Sequence, residues 1–116
     1  MKFRFQDLQI WQFAIKLSDE LLDIADDLEG RKLFRFAEQL RGATMSVSNN
    51  IAEGSGSTSA RDFRNFLAIA RKSTFENANI LIILNRRQHI PDNKLADLLD
   101  KLDKECRMIT NFGRTL

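Results

Sequence analysis

One cysteine, one histidine, one proline and five glycines are spread over 116 residues, and each shortage removes a class of protein. A lone Cys106 cannot build a disulfide framework or a multi-thiolate metal site, and it fits a reducing compartment. Adding His89 still leaves too few ligands for zinc. A di-iron bundle of the ferritin type needs Glu-x-x-His on two helices, and the residue three before His89 is Arg86. So few turn-forming residues argue against a many-looped β-sandwich. The longest unbroken apolar run, Ile80 to Leu84, falls far short of the roughly 20 residues that cross a bilayer. Gln6 and Asp7 stand where a secretory signal would need an apolar stretch. The expectation is a cytoplasmic, single-domain protein with no membrane partner.

The chain is 43% hydrophobic and 29% charged, which suits a packed core. The net charge of +2 names no partner, but its distribution is uneven. Residues 1–29 hold three basic and seven acidic side chains, residues 30–87 ten basic and four acidic, and residues 88–116 five of each. The middle of the chain is its electropositive part.

Apolar residues recur at helical spacing almost throughout, and no stretch alternates with period two. The pattern predicts helices over about 5–28, 32–53, 60–87 and 92–112, with Gly30, Gly54-Ser55-Gly56 and Pro91-Asp92 as the breaks. Ser59 followed by Asp62 resembles a capping box at the third start. Four amphipathic helices with short joins make an all-α, antiparallel up-down four-helix bundle the economical fold.

Two helices carry more apolar surface than such a bundle consumes. On the first, Ile10, Ala14, Leu17, Leu21, Ile24 and Leu28 form one seam, and Leu8, Trp11, Ile15, Leu22 and Ala25 another. On the third, Phe63, Leu67, Ala70, Thr74 and Leu81 form one, and Phe66, Ile69, Ser73, Ile80 and Ile83 the second. A second seam needs a second neighbour, so self-association is expected.

Motifs for catalysis are scarce, and no catalytic residue, metal site or cofactor is assigned. His89 lies in a predicted turn beside Ile90 and Pro91, a weak basis for nucleophilic chemistry. Gly54-Ser55-Gly56-Ser57 lacks P-loop spacing and follows a helix where a P-loop follows a strand. The basic residues say more. Arg61, Arg64, Arg71, Lys72 and Arg86 share one arc of the third helix, opposite the Phe63–Ala70–Leu81 seam, and Phe75 lies on that arc. Arg35 and Arg41 add charge on the second helix. Clustered guanidiniums hold phosphates, and an exposed aromatic can stack on an unpaired base. Glu76 falls in the seam of Phe66, Ile69, Ser73 and Ile80, where a carboxylate needs a partner such as Arg41, Arg64 or unpaired helix ends. Glu53 ends the second helix beside the glycine cluster, and both glutamates read as structural.

Gln39-Leu40-Arg41, then Ser46-Val47-Ser48-Asn49-Asn50-Ile51-Ala52-Glu53-Gly54, then Asp62-Phe63, Phe66-Leu67, Ile69-Ala70 and Ser73 with Glu76 form one signature. It resembles that of the four-helix bundle proteins encoded in intervening sequences of bacterial 23S ribosomal RNA genes, and Asp7-Leu8-x-Ile10-Trp11 is similar to their opening. The resemblance covers essentially the whole chain. Departures are Ser48, where the family often has Pro, and Lys72-Ser73, where it often has Gly-Ser. It implies a bundle assembling as a ring-like homo-oligomer, commonly a pentamer, with no enzymatic activity and with Asn50, Glu53, Gly54 and Glu76 as structural motif residues. A similar bundle is the accessory subunit of reverse transcriptases in diversity-generating retroelements.

Together these readings predict a non-catalytic oligomer that binds RNA or DNA through Arg35, Arg41, Arg61, Arg64, Arg71, Lys72, Phe75 and Arg86. A scaffold whose basic surface meets an acidic protein partner, or an accessory subunit of a nucleic-acid enzyme, is second. An enzyme using the glycine turn and Glu53 is last.

Overall fold

The computed structural model describes residues 2–116. A 3₁₀ turn, Arg4–Asp7, leads into four helices: α1 (Gln9–Gly30), α2 (Phe34–Ser55), α3 (Ala60–Arg86) and α4 (Asp92–Gly113). Among the described residues there is no strand. Each helix packs on its sequence neighbours and α1 closes the square against α4, while the backbones of the diagonal pairs stay apart. That is the up-down arrangement which short joins dictate. The molecule measures 43 × 26 × 19 Å. Its long axis is about one helix, since 27 residues rise roughly 40 Å.

The largest departure from the expected helix limits is at the first start. Leu8 adopts extended backbone (φ −82°, ψ 127°), so α1 begins at Gln9 and the segment before it folds back. That places the Phe5 ring 5.0 Å from Trp11. Gln12 Nε2 donates to the Gln6 carbonyl at 2.8 Å, fixing the turn.

Helix ends also differ from the expectation that glycine closes them. Gly30 is the last residue of α1, and the left-handed position falls on Lys32 (φ 65°). The Leu33 N–H then reaches the Leu28 carbonyl at 2.9 Å. Gln88 (φ 63°) does the same after α3, with the His89 N–H on the Leu84 carbonyl at 2.8 Å. These six-to-one bonds define the Schellman ending, which glycine usually serves. A side chain in this conformation is strained, so Gln88→Gly should raise stability by about 0.5–1 kcal/mol in a urea titration.

Gly54 likewise does not stop α2, which runs on through Ser55. It is buried, and a Cβ there would lie 2.8 Å from Phe63 Cδ1 and 2.9 Å from Phe66 Cβ. Glycine is needed for the close approach of the first turns of α3. Ser59 caps that helix as expected, its Oγ accepting the Asp62 N–H at 3.1 Å. Pro91 precedes α4, and Asn85 Nδ2 donates to Asp92 Oδ1 at 2.8 Å.

The core lies in two blocks. One joins Leu17, Leu21, Leu28, Leu40, Leu81, Leu84, Leu98 and Leu102. The other joins Ile10, Ala14, Val47, Ile51, Phe63, Leu67 and Ile109. Between them runs a buried polar layer with a member from every helix: Ser18, Thr44, Thr74, Asn77 and Glu105. On α4, Leu98, Leu102, Glu105 and Ile109 share one buried stripe, so Glu105 occupies a core position.

Candidate nucleic-acid interface

The acidic and basic helices stand on opposite corners of the bundle. Between Gln9 and Gly30, α1 has six acidic residues and one lysine, whereas α3 has five basic residues and two acidic ones. The backbones of the two helices stay apart. Cations of the flanking helices neutralise part of α1. Arg41 on α2 meets Asp26 at 2.8 Å, Glu29 at 2.9 Å and Glu38 at 3.3 Å. Lys101 on α4 meets Glu20 at 2.9 Å and Asp97 at 3.0 Å. Hydrogen bonds to Asp26 and then Glu29 hold the Arg41 proton more firmly than usual, and those to Glu20 and then Asp97 do the same for Lys101.

No such partner exists for α3. Among the described residues, no side-chain carboxylate oxygen lies within 4.0 Å of Arg61, Arg64, Arg71, Lys72 or Arg86. All five are exposed. Arg71 stacks over the Phe75 ring at 5.1 Å, and Phe75 is itself 59% exposed. Arg64 Nη1 donates to the Leu116 carbonyl at 3.3 Å, which places Leu116 beside α3.

One of these arginines, Arg71, borders a groove between α3 and α4. Its volume is about 440 Å³, and its rim carries Arg71 and Phe75 from α3 with Arg107 and Arg114 from α4. The floor includes Thr74 and Cys106, which are hydrogen-bonded to each other. An adjoining depression of about 180 Å³ shares Arg71 and is walled by Arg64. Arg107 is paired with Asp103 at 3.1 Å. Arg114 reaches only Asn111 Oδ1, at 3.5 Å. The groove therefore offers guanidiniums with free donors beside an exposed aromatic face, a set that suits a phosphate and a base.

The expected contact residues separate into groups. Arg64, Arg71 and Phe75 come together along the groove, while Arg61, Lys72 and Arg86 are exposed elsewhere on α3. Arg35 is exposed on α2. Arg41 is half-buried in its triple ion pair, so its charge is already neutralised and it drops out of the basic surface.

Glu76 also departs from expectation. It is exposed, with no cation within 4.0 Å among the described residues. The buried polar neighbour in that turn is Asn77, one helical step further round. Glu53 is exposed as well. Asn50 is half-buried, donating to the Ser46 carbonyl at 2.7 Å, and Ser46 Oγ meets Ser73 Oγ at 2.7 Å to tie α2 to α3. His89 stands edge-on to Phe36 at 5.7 Å, away from any nucleophile pair.

Sequence reasoning missed Arg107 and Arg114. Their seven-residue spacing on the polar side of α4 was visible, but only the packing of α4 on α3 turns that side toward Arg71. It also missed Glu105, although a spacing of four, three and four through Leu98, Leu102, Glu105 and Ile109 marks a core stripe.

Among the described residues no cluster of metal-ligating side chains occurs, and no helix is long and apolar enough to cross a membrane. Residues 6–111 match the family described as 23S rRNA-intervening sequence protein. Comparison with curated proteins finds no match. A solved structure from Bacteroides thetaiotaomicron VPI-5482, a protein with unknown function from the S23 ribosomal protein family, is similar with a TM-score of 0.85 and 19% identity over 90% of this chain and 95% of that one. At that identity the likeness speaks for the fold.

Proposed function

This chain belongs to the 23S rRNA-intervening sequence protein family, and we propose that it is a non-catalytic, cytoplasmic nucleic-acid-binding oligomer whose contact surface is the α3–α4 groove. One observation carries this reading. Arg41 and Lys101, which flank α1, are matched to side-chain carboxylates, whereas among the described residues Arg71 on α3 and Arg114 on α4 have no such partner beside an exposed Phe75. Such a surface favours a polyanion with accessible bases, so single-stranded RNA is the best-fitting ligand. Filter-binding titrations of a single-stranded RNA at several salt concentrations test it. Affinity should fall steeply as salt rises. Retention indifferent to salt, or none at low salt, would remove the proposal.

Self-association is the second part of the reading. Ile69 is 46% and Ile83 38% exposed, and Leu8, Trp11, Ile15 and Leu22 are only half-buried, so neither surplus seam is filled within one chain. A second copy would cover them, and a ring such as a pentamer repeats the groove, adding avidity to modest single-site attraction. Light scattering should give a multiple of 13.4 kDa, and Ile69→Glu with Ile83→Glu should return it to the single-chain mass while leaving the helical circular dichroism intact. A monomeric wild type at micromolar concentration would defeat this part. Loss of RNA retention in the dissociated variant would show that avidity matters.

The runner-up is a scaffold for an acidic protein, or an accessory subunit of a nucleic-acid enzyme such as a reverse transcriptase. Ala78, Leu99 and Leu102 in the groove lining favour it, since a helix could dock there through leucines and acidic residues. Competition between RNA and an acidic amphipathic peptide distinguishes the two.

A further inference from the structure

The polar layer at the bundle's centre is short of hydrogen-bond donors. Ser18 donates its hydroxyl proton to the Ala14 carbonyl at 2.7 Å. Thr44 donates to Asn77 Oδ1 at 3.0 Å. Thr74 donates to the Arg71 carbonyl at 2.6 Å. Asn77 Nδ2 donates to the Ser73 carbonyl at 2.8 Å and keeps one N–H in hand. What remains inside the layer is mainly oxygen lone pairs.

Into this setting α4 projects a carboxyl group. Glu105 is 0% exposed, and neither of its oxygens has a hydrogen-bond partner in the protein. It lines a small cavity with Ser18, Thr44, Thr74 and Asn77. The cavity volume is about 10 Å³, close to one water probe. No charged group faces it. Ser18 is the polar contributor from α1, Thr44 from α2, and Thr74 and Asn77 from α3. The thiol of Cys106 contacts Thr74 from the side. Glu20 is engaged with Lys101 and Lys94 at the α1–α4 edge, and Glu76 is exposed.

We propose that the centre of the bundle is a binding site for one proton and one water molecule, with Glu105 held as the neutral acid and the water supplying the donors that the layer lacks. An ionised carboxylate would add more acceptors to a donor-poor cavity and bring a charge with no counterion. The neutral acid supplies an O–H, and water adds two more donors to the acceptors left on Ser18 and Thr44. A Leu at this position would satisfy the stripe more simply but would leave those hydroxyl lone pairs dry. The two apolar blocks of the core are therefore joined through a hydrated, protonated layer.

The sign of the pH effect follows. Burial pushes the Glu105 carboxyl up to about 8. The unfolded chain releases this proton near the ordinary value of about 4.5. From about pH 4.5 to 8 the native state therefore holds a proton that the unfolded state does not, and stability from this group falls as pH rises through that window. Above it both states are ionised and the effect levels off.

The decisive comparison is wild type against Glu105→Gln by urea unfolding from pH 5 to pH 9. The ratio of their folding constants should shift against wild type by about tenfold per pH unit through the window, then flatten. Parallel stability curves at all pH values would overturn the proposal. An infrared measurement on the wild type is independent of how the variant folds. A neutral carboxylic acid C=O band should persist at pH 7 and vanish at pH 10, and its absence at pH 7 would equally overturn the proposal. High-resolution crystal density in the cavity should show one water. A dry cavity, or a metal ion in its place, would refute the site. None of these readouts involves RNA or the oligomer, so they stand apart from the proposed function.

Discussion

Changing Arg64, Arg71, Arg107 and Arg114 together to glutamate should weaken retention of single-stranded RNA by at least about 100-fold at 0.1 M salt. Each phosphate contact on a single strand adds about −0.7 to the slope of log K against log salt, which is worth about fivefold at that concentration. Losing three contacts already accounts for the figure, and reversing the charge adds repulsion. The slope itself should fall by about 2 or more. Changing Arg35, Arg61 and Lys72 to glutamate instead should have a smaller effect, because they are exposed but do not border the groove. Phe75→Ala should reduce affinity without altering the slope, since stacking releases no counterion. Equal loss from both triplet and quadruplet variants would mean that only total charge matters and that the groove has no special place. Because all four groove positions are on the surface or half-covered, thermal melting should confirm that the variant remains folded.

Leu81→Ala should produce the largest loss of stability among simple truncations, about 2–5 kcal/mol. Leu81 is 0% exposed and packs in the block that joins all four helices. Removing its branched end costs the transfer free energy of the lost carbons and leaves a cavity that rigid neighbours such as Leu40, Leu84 and Leu98 cannot fill without leaving their own rotamers. For a chain of this length each kcal/mol corresponds to about 4 °C, so the melting temperature should drop by about 10–20 °C. The adjacent residue is the control. Ile82 is 40% exposed, and Ile82→Ala should stay within about 0.5 kcal/mol. A large effect there would show that a second copy covers Ile82, and its size should then depend on protein concentration.

Arg41 shows where reading the chain alone runs out. Its position on a helix wheel places it among basic residues, and nothing local announces that Asp26 and Glu29 of the preceding helix will close around it. Glu76 and Asn77 make the same point over a single step. A helix turns about 100° per residue, so a modest error in judging which arc faces inward exchanges a solvated carboxylate for a buried amide. The reading of α3 as broadly apolar spread its inner face too wide and drew Glu76 into it. On α4, Glu105 holds a core position while the Cys106 thiol lies at the edge. A carboxylate ordinarily marks a polar face, but burial can keep it neutral.

The helix number, nearly all the helix limits, the break at Pro91 and the apolar stripes of the core were determined by the sequence itself, because periodicity, caps and breakers act within a few residues. The family signature around Asn50, Glu53 and Gly54 was legible for the same reason, being a contiguous string. Only the tertiary structure decided which cations stay free, which arginines of α4 join those of α3, and that an acid is sealed into the middle of the bundle. Those outcomes depend on the rotation and offset of helices distant in the chain, where electrostatic pairing and solvent exclusion are settled jointly by four surfaces.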